Sequence, residues 1–293
     1  MPSLRSAVQI KRQTSRRSLL ATRILLASAL ALAMPTAVSA QSGTATPAAS
    51  VTYPLVANLT LNADVVLVAT IRKLERLSAK EAPGLSEGYN RFVIRANVTG
   101  VLLAPRAIPG EITYIWDAPE SVYGKRPKLK EETVLLFLRS VPGNDRIYQL
   151  VARNAQVLNP SPAIQMVRDV AADPNRATGF GLRVTGVVDA TRMQRRSDED
   201  FATHFLIQTA EKGMMTVSVP DTATGAGSIQ VAMPDSLGET RPLERNSLVG
   251  YFLACGLPDS LPERVLETAA AIGDEAAVKT GYQRLRDTVG PCQ

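Results

Sequence analysis

The stretch "ETVLLFLRSV" (132–141) decides the fold of the central part of this chain. Its centre, Val134–Leu138, is an unbroken apolar run with polar residues on both sides. A short run of this kind is typical of a strand that is buried on both faces. We therefore predict a β-structure with this strand in its middle.

The segments around this run also have the patterns of strands. They are β-branched or alternate apolar and polar residues, and turn residues such as Pro109-Gly110 and "PGND" (142–145) separate them. The further predicted strands are 63–74, 91–98, 110–119 and 146–152. Together they predict a first β-barrel-like unit over residues 51–158.

A linking helix is expected at 159–175, with Ser161 as its cap, Pro162 in its first turn and an end near Ala172.

A second β unit follows at 176–257 and resembles a degenerate copy of the first. Four of its segments match first-unit strands in the same order, at offsets of 113 to 117, although β-rich sequences often look alike. These segments are 182–192, 204–213, 227–235 and 243–253.

The last segment, 258–293, predicts a helical hairpin. Ser260 and Glu263 have the spacing of a capping box for a helix within 259–273. The next helix, within 274–290, places four apolar residues on one face: Val278, Tyr282, Leu285 and Val289.

The order of strands resembles the five-stranded barrel of the netrin-like and metalloproteinase-inhibitor group. The features that carry the resemblance are Ala63–Val68, Phe92, the Pro109-Gly110 turn, and Leu129 and Glu132 before the central run. The resemblance implies an OB-type barrel over about 64–155 and, through the copy, over 182–254. Inhibitors of that group chelate zinc through an N-terminal cysteine, whereas the mature chain predicted below begins at Gln41, so the resemblance does not imply protease inhibition. The expected fold is mainly β, with two tandem OB-like barrels or small sandwiches, a linking helix and a C-terminal helical hairpin.

Residues 1–40 have the three zones of a secretory signal peptide: a basic lead, the apolar run Ile24–Met34 and the small residues Val38-Ser39-Ala40. Eleven apolar residues make only about 16 Å of helix, too short for a membrane core of about 30 Å. We expect cleavage after Ala40, a flexible lead at 41–50, a periplasmic or secreted protein, and no membrane span after cleavage. Arg16-Arg17 also resembles the twin-arginine signal of folded-state export, although paired arginines occur in ordinary signals.

The positive charge of the chain belongs to this signal. The chain has 33 Lys and Arg against 27 Asp and Glu, and six of the basic residues, but no acidic one, precede Ala40. The mature chain is therefore balanced at 27 of each. Because nucleic-acid binding depends on basic residues that neutralise phosphates, we do not expect a nucleic-acid partner.

The two cysteines, Cys255 and Cys292, are expected to form a disulfide, since an exported protein meets an oxidising compartment. Alternatives are a reactive thiol or a metal site. With one histidine and no Cys-x-x-Cys, neither a metal nor another cofactor is expected.

No catalytic group is predicted. His204 is interpreted as a surface residue of a strand, because no Gly-x-Ser-x-Gly or comparable nucleophile pattern accompanies it. Carboxylates cluster at Glu111, Asp117 and Glu120 and in the loop Asp198–Asp200, but the sequence cannot show two of them facing each other across a cleft.

The candidate ligand-binding residues are aromatic and basic: Trp116, Tyr123, Lys125, Arg126 and Lys128. They place rings beside the basic loop "YGKRPKLK" (123–130), and OB-type barrels bind oligomers on such surfaces. The alternative is that Tyr114 and Trp116 lie in the core, because they share one face with Ile112. The sequence thus predicts a non-catalytic binding or assembly module with another envelope protein or a polysaccharide as partner. The alternatives are an envelope enzyme with paired carboxylates and a polysaccharide-binding module.

Overall fold

The computed structural model describes residues 51–120, 127–194, 201–211, 213–221, 227–234 and 238–292. In chain order, its helices and strands are α1 (Tyr53–Leu61), β1 (Val65–Arg76), β2 (Tyr89–Leu103), β3 (Glu111–Pro119), β4 (Thr133–Val141), β5 (Asn144–Leu150), β6 (Gln156–Leu158), α2 (Ser161–Ala172), a 3-10 segment (Pro174–Leu182), β7 (Val184–Gln194), β8 (Phe201–Thr209), β9 (Met214–Pro220), β10 (Gln230–Ala232), β11 (Thr240–Pro242), α3 (Leu248–Gly256), α4 (Glu263–Ala271) and α5 (Glu275–Val289). The predicted signal peptide, the flexible lead and the candidate residues Tyr123, Lys125 and Arg126 lie outside the described residues. The mainly β fold predicted from the sequence is confirmed.

The first five strands form a closed barrel. β1, β2 and β3 are antiparallel neighbours, β3 pairs in parallel with β5, and β5 pairs with β4. β4 then pairs with β1 along six residues, from Val65 opposite Leu138 to Thr70 opposite Thr133, and this pairing closes the barrel. All five strands predicted for the first unit are present.

The central run is buried as its sequence predicts. Val134–Leu138 have no exposed surface, and the same hydrophobic cluster includes Val56 and Leu59 of α1 and Ala163 and Val167 of α2. Each large side chain buried in this way stabilises the fold by about 1.5–3 kcal/mol.

The second sheet is an antiparallel meander in the order β11-β10-β9-β8-β7. Side chains of α3, α4 and α5 pack with it in a second hydrophobic core, which includes Phe205, Val217, Phe252 and Leu285. Among the described strands no pairing closes this sheet into a barrel, so the tandem barrel is not confirmed.

One predicted strand of the second unit is wrong. The segment 243–253 was matched to the central run of the first unit, but Leu248–Gly256 form helix α3. The side chain of Ser247 caps this helix by accepting a hydrogen bond from Gly250 N (3.1 Å), and Asp173 Oδ2 accepts one from Leu248 N (3.1 Å). Because α3 is buried on most of its surface, its apolar run does not differ from that of a buried strand.

Two helices contribute to both cores, and residues 49–293 form one compact unit. α1, which the sequence did not predict, places Val56 in the barrel core and Tyr53 in the second core. α2 occupies the predicted linking segment, with Val167 in the first core and Val170 in the second. Its predicted cap is not formed: Ser161 is already the first helical residue, and Pro160 precedes it without a side-chain cap.

The C-terminal helical hairpin is present as α4 and α5. The four apolar residues predicted for one face of α5 are all buried, whereas the predicted capping box of α4 is not formed. Cys255 and Cys292 form a disulfide with an S–S distance of 1.97 Å, which ties the end of α3 to the C-terminus. Within the described part of the chain, none of the helices combines the length and apolar character needed to cross a bilayer.

Candidate functional site

The predicted aromatic candidate, Trp116, lies on the inner side of the barrel wall. Its Cα partner on β2 is Phe92, and the two ring centroids are 6.1 Å apart. Trp116 is half-buried and packs against the barrel core. Its neighbour Tyr114 is fully buried and donates a hydrogen bond from its hydroxyl to Gln156 Oε1 (2.7 Å). These positions favour the interpretation of both rings as packing residues.

The basic candidate Lys128 is exposed and directly precedes the buried Leu129. The ends of its loop are fixed on the barrel. At the start, Glu120 N donates to Gly88 O (2.7 Å), and at the end, Glu131 N donates to Ile71 O (2.7 Å). The described ends of the loop therefore lie beside the start of β2 and against β1.

The exterior of β3 and β5 exposes apolar side chains that were not among the candidate residues predicted from the sequence. Ile115 of β3 is 47% exposed and Ile147 of β5 is 42% exposed. Val93, the Cα partner of Ile115 on β2, is half-buried, and Thr113 lies between Arg95 on β2 and Ile147 on β5. We call the exterior side chains of Val93, Arg95, Thr113, Ile115 and Ile147 the outer face.

The sequence could indicate only part of the outer face. Ile115 is out of phase with the inward-facing Ile112, Tyr114 and Trp116, which is a signal for an exterior position. The neighbourhood of Ile115 and Ile147 depends on the parallel pairing of β3 with β5, which local patterns do not predict.

An ion pair lies at one end of the outer face. Arg91 donates to both carboxylate oxygens of Asp117 (2.6 and 2.8 Å) and to Pro83 O in the β1–β2 loop (3.2 Å). Arg153 lies 4.6 Å from the ring centroid of Tyr89 and donates to Ser86 Oγ (2.7 Å). The two arginines therefore attach the β1–β2 loop to the barrel end.

The carboxylates near β3 do not form a catalytic pair. The hydrogen bonds from Arg91 keep the pKa of Asp117 below its usual value, so this group is an ion-pair partner at neutral pH. Glu111 begins β3 and Glu120 follows its end, about 30 Å apart at the usual rise of a strand. Glycosidase carboxylates face each other at less than about 10 Å. The acidic loop Asp198–Asp200 lies outside the described residues.

The only histidine has a hydroxyl beside it that no sequence pattern revealed. His204 on β8 is the Cα partner of Ser218 on β9, and Ser218 Oγ lies 2.7 Å from Nδ1 of the imidazole. In the Ser-His-Asp arrangement, Nε2 faces the serine and Nδ1 faces the carboxylate. Because the contact here uses the other nitrogen and both residues lie in the middle of paired strands, it is a cross-strand contact without the geometry of that arrangement.

In the described ranges, no group of three or more His, Cys, Asp or Glu side chains could hold a metal ion. No known protein family matches the chain, and no curated protein is significantly similar to it in sequence. Its function therefore has to be argued from its own residues.

Proposed function

We propose that this chain is an exported, non-catalytic binding module whose first five strands are an OB-type barrel. The strand order β1-β2-β3-β5-β4, closed by β4 on β1, supports this assignment because OB folds are five-stranded Greek-key barrels. The resemblance to the netrin-like group agrees with the same barrel type. The three zones of residues 1–40 support export to the periplasm or out of the cell.

The second unit fits a degenerate copy of this barrel. β7 and β8 pair antiparallel as β1 and β2 do, and β10 lies in the segment that matches β3, with β9 inserted between β8 and β10. In this proposal the copy keeps its first three strands and has α3 at the place of the fourth. The copy then serves as a support on which α3, α4 and α5 pack.

The observation that carries the binding function is the exposure of Ile115 and Ile147 on neighbouring strands of the outer face. OB folds bind ligands across strands 2 and 3 and the adjoining loops, and the outer face includes the exterior of these strands. Neighbouring exposed apolar side chains mark interaction sites, and arginine is enriched at protein interfaces, whereas the recognition of single-stranded nucleic acids relies on aromatic rings. The expected partner is therefore another envelope protein, with an apolar surface that carries acidic residues opposite Arg95.

The test is photo-crosslinking in intact cells with p-benzoyl-phenylalanine at position 115. Position 272 is the control, because Ile272 is also an exposed isoleucine (62%) but lies between α4 and α5. We expect a discrete protein adduct from position 115 and none of the same size from position 272. Ile147→Glu should abolish the adduct, because it places a negative charge against the acidic partner surface.

Equal adducts from both positions, or an adduct unaffected by Ile147→Glu, would contradict a specific partner site. A second outcome is that position 115 gives no protein adduct, while the protein binds isolated cell-surface polysaccharide and Ile147→Glu abolishes that binding. The partner would then be a carbohydrate and not a protein.

A further inference from the structure

A cleft of about 510 Å³ opens beside the second sheet, and none of its lining residues belongs to the outer face. Its walls come from α1, the end of α2, β11 and the start of α3, and its apolar floor includes Val231 and Val249. A volume of this size is in the range of small-molecule sites.

The rim of the cleft is acidic. Asp169, Asp173 and Glu244 contribute three carboxylates, and Arg241 contributes one guanidinium, so the net formal charge of these four groups is negative. The nearby Arg245 does not line this cleft. Its guanidinium packs against Gly290 at the end of α5.

Asp173 holds the rim in place. Its Oδ1 accepts a hydrogen bond from Asn175 N (2.8 Å), and its Oδ2 accepts one from Leu248 N (3.1 Å). Because these bonds join the end of α2 to the first turn of α3, the walls of the cleft are fixed before any ligand arrives. The carboxylates of Asp169 and Glu244 are on exposed residues at the same rim.

Tyr53 is the second, independent feature of the cleft. Its side chain lines the cleft although the residue is only 4% exposed. Among the described residues, no hydrogen bond involves its hydroxyl, in contrast to Tyr114, Tyr251 and Tyr282, whose hydroxyls all donate. Within the described residues, the only fully enclosed polar side-chain atom without a partner is Arg176 Nε, so the Tyr53 hydroxyl reaches the open space of the cleft and can bond a polar ligand group there.

The chemistry of that ligand group follows from the surroundings of Tyr53. Burial raises the pKa of the phenol, and the charges of Asp173, Asp169 and Glu244 raise it further, so the hydroxyl is neutral at physiological pH. A neutral hydroxyl can accept a hydrogen bond from an ammonium group, and the aromatic ring attracts a cation. An anion would instead meet three carboxylates.

We propose that this cleft binds a protonated aliphatic amine, with the ammonium group between Asp169, Glu244 and the Tyr53 hydroxyl and the hydrocarbon chain on Val231 and Val249. The amine is either a free small diamine or the lysine side chain of a polypeptide. This site is separate from the outer face, so it does not depend on the function proposed above.

The test is calorimetric titration of the full chain, as processed by the expressing host, at low ionic strength and neutral pH. The probes are cadaverine as the free diamine, Nα-acetyl-lysine methylamide as the polypeptide side chain, and 1,5-pentanediol as a neutral analogue of cadaverine. We expect an amine to bind and the diol not to bind. Tighter binding of cadaverine assigns the site to free diamines, and tighter binding of the lysine amide assigns it to a polypeptide.

Variants then locate the site. Asp169→Asn, Glu244→Gln and Tyr53→Phe should each weaken amine binding by about threefold to tenfold, which corresponds to about 0.7–1.4 kcal/mol. Glu267→Gln is the matched control, because it removes one carboxylate from an exposed position on α4 and should leave the affinity unchanged. Tyr53→Phe keeps the buried ring, so its thermal midpoint should stay at the wild-type value.

The proposal is overturned if no amine binds at up to about 10 mM, or if the diol binds as well as cadaverine. Unchanged affinity in both carboxylate variants also overturns it, because binding would then occur elsewhere on the protein.

Discussion

Arg91 on β2 and Asp117 on β3 are directly opposite each other and form a two-point ion pair, with side chains only 20% and 17% exposed. The guanidinium also donates to Pro83 O, so it joins two strands and the β1–β2 loop. A charge-assisted pair with this geometry and partial burial is stronger than an ordinary surface salt bridge.

Replacing Asp117 by Asn should therefore reduce the free energy of unfolding by about 1–2 kcal/mol, because the amide cannot accept both bonds from Arg91. Urea unfolding at pH 7 measures the loss. The control is Glu111→Gln, which neutralises an exposed carboxylate on the same strand and should change stability by less than about 0.5 kcal/mol. Equal losses of unfolding free energy in the two variants would show that the two-point ion pair stabilises the fold no more than an exposed carboxylate does.

The same pair predicts a pH dependence. Hydrogen bonds from Arg91, and then the charges of Arg91 and Arg153, lower the pKa of Asp117 in the folded state. Since the folded pKa lies below the unfolded value of about 3.9, the pair stabilises the protein fully above that value. Its contribution is lost as the pH falls from about 4 through the folded pKa. The stability difference between wild type and Asp117→Asn should thus be constant from pH 5 to 7 and shrink below about pH 4; a difference that grows towards low pH would contradict the assignment.

Gly256 tests how closely α3 lies against the second sheet. A Cβ at this position would be 2.6 Å from both the Cβ and the carbonyl oxygen of Val184 on β7. Alanine normally favours a helix over glycine by about 1 kcal/mol, but here the clash would push α3 away from β7. We expect Gly256→Ala to lower the free energy of unfolding by about 1–3 kcal/mol.

The matched control is Gly110→Ala. An added Cβ at Gly110 has no heavy atom within 4 Å, and its φ is not positive. This variant should be neutral or slightly stabilising, by at most about 1 kcal/mol. An equally neutral Gly256→Ala variant would contradict the close packing of α3 against β7.

The disulfide gives a further prediction. Cys255 and Cys292 are 37 residues apart in the sequence, and closing a loop of that length stabilises the folded state by about 3–4 kcal/mol in the chain-entropy model. The double variant Cys255→Ser, Cys292→Ser should lose about this amount in urea unfolding without reductant. With reductant, wild type and the double variant should unfold at the same urea concentration. A free-thiol assay on the unfolded, unreduced wild type should find no thiol; two free thiols would contradict the bond.

The barrel was predictable because its strands carry their own signals. The alternation of Ile112, Tyr114 and Trp116 and the apolar centre of 132–141 both report burial through local sequence, so strand positions followed. The parallel neighbour of β3 did not follow, because pairing between distant strands leaves no local pattern. The outer face around Ile115 and Ile147 was missed for this reason.

Helix α3 shows the opposite case. Its residues are apolar on nearly all sides, and this composition is common to buried helices and buried strands. Two hydrogen bonds to the first turn of α3 favour the helix: Gly250 N donates to Ser247 Oγ, and Leu248 N donates to Asp173 Oδ2. Asp173 is 75 residues from Leu248 in the sequence, so no local pattern predicts the second bond. The cleft near Tyr53 was unpredictable on the same grounds, because its carboxylates come from segments far apart in the chain.

The last prediction concerns export. Both cysteines of the disulfide are exposed in the folded protein, so an oxidant can reach them after folding is complete. The protein is therefore compatible with export in the folded state, which the pair Arg16-Arg17 would direct.

Replacing both arginines by lysine keeps the charge of the signal, and an ordinary secretory signal should tolerate it. For a twin-arginine signal we expect the uncleaved precursor to accumulate in the cytoplasm with reduced cysteines, as measured by immunoblotting of cell fractions after thiol alkylation. The control is Lys11→Arg with Arg12→Lys, which exchanges basic residues outside the pair. Normal cleavage and a periplasmic disulfide in the Arg16→Lys, Arg17→Lys variant would assign export to the unfolded-state route, in which case the exposed cysteines are oxidised as the chain folds after translocation.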